Sequence, residues 1–149
     1  MQNLESLKAN GELRVVLTGS DGQVKEDVLL KNLVVDTGLN FIVKRMKDAT
    51  ADVMSHMSLG TGTTAAAAAD TTLQTEINGS RVGLTSTTVT ANQITYIASF
   101  AAGVGTGAVT EAGIFNNSTG GTMLCRTVFP VVNKQSGDSM TVTWTVTVS

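Results

Sequence analysis

The sequence is poor in cysteine, histidine and charged residues. Cys125 is the only cysteine among the 149 residues, which excludes an internal disulfide framework. His56 is the only histidine, so the chain has no His/Cys ligand set for zinc. Charged residues make up 15 % of the chain, against about 25 % in a typical globular domain. We therefore expect a Thr/Ser-rich surface, or surface that is hidden against other subunits.

Charge and hydropathy also bound the partners. The net charge of −2 gives no electrostatic argument for nucleic acid, which calls for a basic patch. The first residues lack the basic start and apolar run of a signal peptide. No apolar run approaches the roughly 20 residues of a membrane span. We expect one domain over residues 1–149, made in a cytoplasm, with no nucleic-acid partner and no membrane segment.

Residues 140–148 carry the clearest secondary-structure pattern. Apolar residues alternate with threonine, and Trp144, the only tryptophan, stands at the centre of the apolar set. A period of two is the period of a β-strand, and β-branched and aromatic residues suit a half-buried sheet. The pattern predicts a final strand with Trp144 in the core. The threonine side is compatible with solvent or with contact to another subunit.

Residues 12–35 predict a β-hairpin that turns at Ser20-Asp21-Gly22, where glycine supplies positive φ. A helix is predicted over residues 37–48, with Asp36-Thr37 as its N-cap. Its amphipathic stripe has the spacing i, i+3, i+4 and i+7 and consists of Leu39, Ile42, Val43 and Met46. Basic residues in its last turn, Lys44, Arg45 and Lys47, suit the helix dipole. We interpret them as a solvated helix end rather than an anion or nucleic-acid site.

The rest of the chain is mainly β in pattern. We predict a short strand at 54–59, a helical turn at 70–76 and strands at 81–89, 93–100, 108–115 and 122–132. Pro130 favours a strand end, an edge or a bulge. Glycine and asparagine turns separate these strands, which predicts an antiparallel β-sandwich (or barrel) of about 7–9 strands with one helix. The expected core includes Trp144, Phe115 and Phe129.

No constellation in the sequence supports catalysis. Residues 60–65 and 103–108 match a loose dinucleotide pattern, but neither match is followed by the long helix of a βαβ unit, so we interpret both as turns. Cys125 is expected to act as a small buried hydrophobe rather than as a nucleophile paired with His56. Glu111 lies between apolar positions and is interpreted as a partner for an arginine, Arg81 or Arg126. We expect no catalytic residue, no cofactor and no metal, and hence no enzyme.

Several stretches, taken together, carry a family resemblance. They lie at residues 32–40, 57–64, 70–73, 111–116, 120–129, 134 and 137–144. Examples are Asp36-Thr37-Gly38-Leu39-Asn40, Ser58-Leu59-Gly60-Thr61-Gly62, Glu111-Ala112-Gly113-Ile114-Phe115-Asn116 and Met140-Thr141-Val142-Thr143-Trp144. With these stretches the chain resembles a small structural protein of tailed bacteriophages, of the kind identified as a tail-fibre or virion protein. The resemblance spans most of the chain after residue 30.

The resemblance implies a β-rich, non-enzymatic component of an assembled virion that is repeated by symmetry. The expected role is a short fibre or a tail, baseplate or collar adaptor. The alternatives are a capsid decoration protein (cement or head fibre) and, less favoured, a host-receptor or glycan-binding module. A receptor-binding fibre usually adds a distal domain, whereas this chain ends after its last strand, which favours the first two roles.

We expect a homo-oligomer, a trimer as the first expectation, that contacts other virion proteins. Candidate contact loops lie at residues 60–69, 103–107 and 116–121. Their candidate contact residues are Gly60, Thr61, Gly62, Gly103, Gly105, Gly107, Asn116, Asn117 and Gly120. Plain exposed turns are the competing interpretation, and the sequence favours it almost equally.

Overall fold

The computed structural model describes residues 8–149 as nine β-strands and one short helix. In chain order the elements are β1 (Ala9–Thr18), β2 (Val24–Val34), α1 (Asp36–Lys47), β3 (His56–Gly60), β4 (Val82–Gly83), β5 (Ser86–Thr90), β6 (Gln93–Phe100), β7 (Gly107–Phe115), β8 (Met123–Lys134) and β9 (Ser139–Val148). Every strand pairing is antiparallel. The predicted mainly β fold with a single helix is confirmed.

The nine strands form one curled sheet in the order β4-β3-β7-β8-β2-β1-β9-β6-β5. Strand β2 pairs with β1 along most of its length but with β8 only at Leu33 and Val34. The sheet bends at this short junction, so that it resembles a sandwich. We call β2, β1, β9, β6 and β5 sheet A, and β8, β7, β3 and β4 sheet B. Their inner faces share one core.

Strand β9 lies at the centre of sheet A, between β1 and β6. Trp144 is fully buried there, opposite Leu13 on one side and Tyr96 on the other. The three expected core residues, Trp144, Phe115 and Phe129, are all buried. Because alternation along β9 sends every second residue into the shared core, the strand fixes one wall of the sandwich.

Helix α1 begins at Asp36, but the predicted N-cap is wrong. Val35 is the N-cap residue and has no side-chain cap hydrogen bond. The Thr37 hydroxyl instead donates to the carbonyl of Met123 at 2.8 Å, which fixes the helix start to β8. Gly38 lies directly on the backbone of Leu124, where a Cβ atom would collide with its carbonyl oxygen. A long-range anchor has therefore replaced a local cap.

Two further predictions need correction. Residues 70–76 form no helical turn, and the strand predicted at 81–89 is interrupted. Leu84 donates its N–H to Ser55 beside sheet B, whereas Thr85 donates to Ile97 in sheet A. The chain therefore passes from one sheet to the other at this point, which splits the predicted strand into β4 and β5. Such a switch depends on partners that are distant in sequence.

Pro130 lies where β7 and β8 lose regular pairing. Val109 pairs with Val132, but Glu111 pairs with Val128, so β8 bulges between these positions. A bulge leaves backbone N–H groups unpaired, and proline has no N–H to lose. The structure therefore selects the bulge among the three settings that the sequence offered.

The outer faces of the two sheets differ. Residues 61–81, which we call the clamped segment, lie over the outer face of sheet B. Leu73 of this segment packs into a second small cluster with Val35, Phe115 and Met123. The outer face of sheet A has no comparable layer within residues 8–149. This asymmetry determines where a partner can bind.

Candidate functional site

Glu111 lies on the outer face of β7, fully buried beneath the clamped segment. Its carboxylate accepts hydrogen bonds from three backbone N–H groups, at 2.7 Å from Gly62, 2.8 Å from Gln74 and 2.7 Å from Thr75. Hydrogen bonds to an ionised acceptor are about twice as strong as neutral ones. Gln74 and Thr75 therefore bind the carboxylate instead of closing the helical turn that the sequence predicted.

Arg126 lies beside Glu111 on the neighbouring strand β8 and supplies the counter-charge. Its Nε atom donates to Glu111 Oε1 at 3.0 Å. Its terminal nitrogens reach the clamped segment, donating to Asp70 Oδ2 at 2.8 Å and to the carbonyl of Thr64 at 3.0 Å. Of the two arginines that the sequence offered, Arg126 rather than Arg81 is the partner. Both buried charges are used to hold the segment on sheet B.

Arg81 joins the clamped segment to the loop at residues 116–121. Its guanidinium lies 3.7 Å from the centroid of the Phe115 ring. One terminal nitrogen donates to the carbonyl of Gly120 at 2.8 Å, and the other donates to Glu76 Oε1 at 2.6 Å. The cation over the ring and the ion pair together fix this loop against the segment.

The loop at residues 103–107 packs against the other end of the clamped segment. Gly105 is buried with φ of +67°, and a Cβ atom there would lie 2.8 Å from Leu59 and 3.6 Å from Ser80. Only glycine combines this left-handed backbone with so close an approach. All three predicted contact loops therefore adjoin one segment, on the sheet B side of the molecule.

The nine predicted contact residues divide by exposure. The exposed ones are Thr61, Gly103, Asn117 and Gly120. Gly107 and Asn116 are half-buried. The buried ones are Gly60, Gly62 and Gly105. The three buried glycines have no surface for a neighbour, which corrects their assignment: Gly60 belongs to strand β3, and Gly60 and Gly62 lie against the Glu111 side chain.

The outer face of sheet A is uncharged over three adjacent strands. We call it the threonine face. Its outward-pointing residues are Ser86, Thr88 and Thr90 on β5, Gln93, Thr95, Ile97 and Ser99 on β6, and Ser139, Thr141, Thr143, Thr145 and Thr147 on β9. Charge returns on β1 and β2, where Arg14 and Asp27 form an ion pair at 2.6 Å. The sequence indicated this face on the final strand alone.

Strand β5 extends the threonine face to the edge of the sheet. All five of its residues are exposed, and Val89 is 71 % exposed. Edge strands are usually protected by lysine, proline or a bulge. β5 contains no charge and no proline, and its pairing with β6 is regular. This edge presents unpaired backbone groups that suit pairing with another strand.

Cys125 and His56 do not form a pair. His56 Nδ1 lies 2.7 Å from the hydroxyl of Ser55. Ile114 on β7 pairs with Met57 on one side and with Cys125 on the other, so β7 separates the two strands by two strand spacings, roughly 9–10 Å. Burial raises the pKa of the Cys125 thiol to about 12. The thiol is therefore protonated at neutral pH, whereas the thiolate is the nucleophile.

Comparisons with known proteins give no relative for this chain: no family model, no curated protein and no solved structure matches it. Over residues 8–149 no group of three or more His, Cys, Asp or Glu side chains is placed to hold a metal ion. In the same part of the chain no helix has the length and apolar character needed to cross a membrane.

Proposed function

We propose that this protein is a structural component of a bacteriophage virion that acts through homo-oligomeric assembly, as a short fibre or as a tail, baseplate or collar adaptor. The observation that carries the assembly role is the threonine face with its unprotected edge strand β5. The virion setting rests on the sequence resemblance. A trimer is the expected state.

Burial of the threonine face is energetically feasible. Burying an ionised group is costly unless it is paired, whereas a hydroxyl needs only a hydrogen-bond partner. Threonine also presents a methyl group, and Ile97 adds apolar area at the centre of this face. Cyclic symmetry repeats each contact around the assembly, so that individually weak contacts add. The low charge of the whole chain follows if this surface is covered in the virion.

The clamped segment suits a second role on the opposite side. Binding by a pre-ordered loop costs less conformational entropy than binding by a loop that must order first. The network of Glu111, Arg126 and Arg81 fixes the segment and two neighbouring loops within the subunit. We therefore propose that the exposed residues there contact other virion proteins, while the threonine face joins copies of this chain.

The glycan-binding alternative receives little support from the aromatic residues. Sugar sites usually need an exposed aromatic ring beside polar groups. Five of the six aromatic side chains are buried, namely Tyr96, Phe100, Phe115, Phe129 and Trp144. The sixth, Phe41, is half-buried beside α1.

Two measurements test the proposal. Light scattering after size exclusion, over a range of protein concentrations, should give a defined oligomer. A density map of the virion should then place copies of the chain with threonine faces in contact. Density on the capsid shell instead of the tail or collar would make the chain a decoration protein. A persistent monomer with no place in the virion would overturn the proposal.

A further inference from the structure

The apolar stripe of α1 is largely uncovered. Leu39, Val43 and Met46 are 41 %, 65 % and 73 % exposed, although an amphipathic helix normally turns such a stripe toward a core. Together with Ile42 they form one wall of a groove of about 290 Å³. The other wall comes from the first residues of β1 and the end of β9, including Ala9 and Val148.

We propose that residues 1–7 fold back into this groove within the same subunit, with Leu4 and Leu7 against the helix stripe. The inference does not depend on the proposed function, because it concerns one chain. Lys8 already lines the groove, so the segment begins at the groove itself. Lys8 is held in place by two backbone hydrogen bonds with Ser149, of 2.7 and 2.8 Å.

The composition of the segment fits the groove. Its three apolar residues, Met1, Leu4 and Leu7, recur every third position and match the apolar wall. Its single charged side chain is Glu5, whereas the last turn of α1 carries only basic residues, Lys44, Arg45 and Lys47. Apolar side chains would thus enter the groove while Glu5 meets the basic helix end.

The length of the segment is sufficient. Seven residues reach about 23 Å when extended, at roughly 3.3 Å per residue. Helix α1 has 12 residues and is about 18 Å long at 1.5 Å per residue. A short tether also gives an effective concentration in the millimolar range. At dilute concentration the chain's own segment therefore outcompetes a second copy for the groove.

Disulfide trapping tests the proposal. In the full chain, Leu4→Cys is combined with Val43→Cys, and a matched control combines Leu4→Cys with Lys44→Cys, one residue along but on another face of the helix. The native thiol of Cys125 is buried and does not compete. We expect intrachain disulfide to form about tenfold faster in the Val43 pair, since docking raises the local concentration on that face alone. Equal rates in both pairs would refute docking.

The same experiment separates the possible occupants. Interchain disulfide that dominates in the Val43 pair and falls with dilution would make a second copy the occupant and overturn the intrachain proposal. A second measurement uses the chain shortened by residues 2–7. Hydrogen exchange of the α1 backbone amides should rise about tenfold in this variant if the segment covers the helix, as expected for a locally less stable element. Unchanged exchange would count against the proposal.

Discussion

Arg126 Nε donates to Glu111 Oε1 at 3.0 Å between adjacent strands, and neither side chain is more than 2 % exposed. The pair forms the junction between sheet B and the clamped segment. Glu111 binds the segment through its backbone N–H groups, and Arg126 binds it through Asp70 and the carbonyl of Thr64. Two charges of opposite sign thus replace a hydrophobic interface for most of this layer.

The first prediction concerns loss of this junction. Glu111→Gln removes the negative charge and places an amide N–H₂ group near backbone donors. Removal of one partner of a buried ion pair typically costs about 3–5 kcal/mol, because the other charge stays buried and uncompensated. We expect a loss of this order in the free energy of unfolding, measured by chemical denaturation. Hydrogen exchange at Gly62, Gln74 and Thr75 should rise as well.

The matched control is Glu12→Gln, at an exposed position of β1. Exposed substitutions of this kind usually change stability by no more than about 0.5 kcal/mol. Unchanged protection of the three amides in Glu111→Gln would show that the carboxylate does not hold the segment. Equal destabilisation by both variants would show that burial of the pair is unimportant.

The second prediction concerns the core. Trp144→Ala should destabilise the domain by about 3–5 kcal/mol, because a large buried side chain is replaced by a cavity. Trp144 is fully buried between Leu13 and Tyr96, so the neighbouring strands cannot easily close the space. Val89→Ala, at an exposed position, is the control and should have little effect. Denaturation midpoints of the two variants that agree would contradict the assignment of Trp144 to the core.

The sequence predicted best the elements whose pattern is local. Strand β6 has the bounds that were predicted, 93–100, and β9 differs by one residue at its start. In both strands a period of two continues without interruption. Residues 70–76 failed because the Glu111 carboxylate, almost 40 positions away in sequence, binds their backbone N–H groups. Local propensity has no access to that contact.

The candidate surfaces show the same division. Threonine on alternate positions of the last strand was visible in the sequence, but the threonine face needs β5 and β6 beside β9, and strand order is non-local. The sequence offered Arg81 and Arg126 as partners of Glu111, and register decided between them. The exposed helix stripe was invisible as well, because the spacing of Val43 and Met46 is equally typical of a helix that packs on a core.

The third prediction concerns assembly. The double substitution Thr143→Lys and Thr145→Lys adds two charges to the threonine face and should leave the isolated fold intact, since both side chains point outward from β9. If this face joins subunits, burial of unpaired charge should prevent assembly. Light scattering should then give a monomer with an unchanged circular dichroism spectrum.

Thr71→Lys with Thr72→Lys is the matched control, because both residues are exposed on the clamped segment, on the sheet B side. This control should assemble like the unmodified chain. Normal assembly of the Thr143 and Thr145 variant would return the threonine face to solvent and would transfer the assembly role to another surface.

The last prediction concerns acid. Asp138 lies in the turn before β9, where its carboxylate accepts hydrogen bonds from Lys25 Nζ at 2.8 Å and from the Gln135 backbone at 2.9 Å. These contacts, with the Lys25 hydrogen bond as the largest cause, hold the pKa of Asp138 below its ordinary value. A depressed pKa in the folded state means that the ionised carboxylate stabilises the fold above the unfolded pKa of about 3.9. This contribution is lost as pH falls through the folded pKa.

Asp138→Asn should therefore lower the melting temperature at pH 6 to 7, and its difference from the unmodified chain should shrink as pH falls below about 4. Scanning calorimetry between about pH 2 and 7 measures this convergence. Asp52→Asn, at an exposed position, should follow the unmodified chain throughout. A difference between Asp138→Asn and the unmodified chain that stays constant with pH would show that shape rather than charge fixes this turn. Convergence instead identifies the contact between Lys25 and Asp138 as an ionic link from β2 to the strand that carries the threonine face.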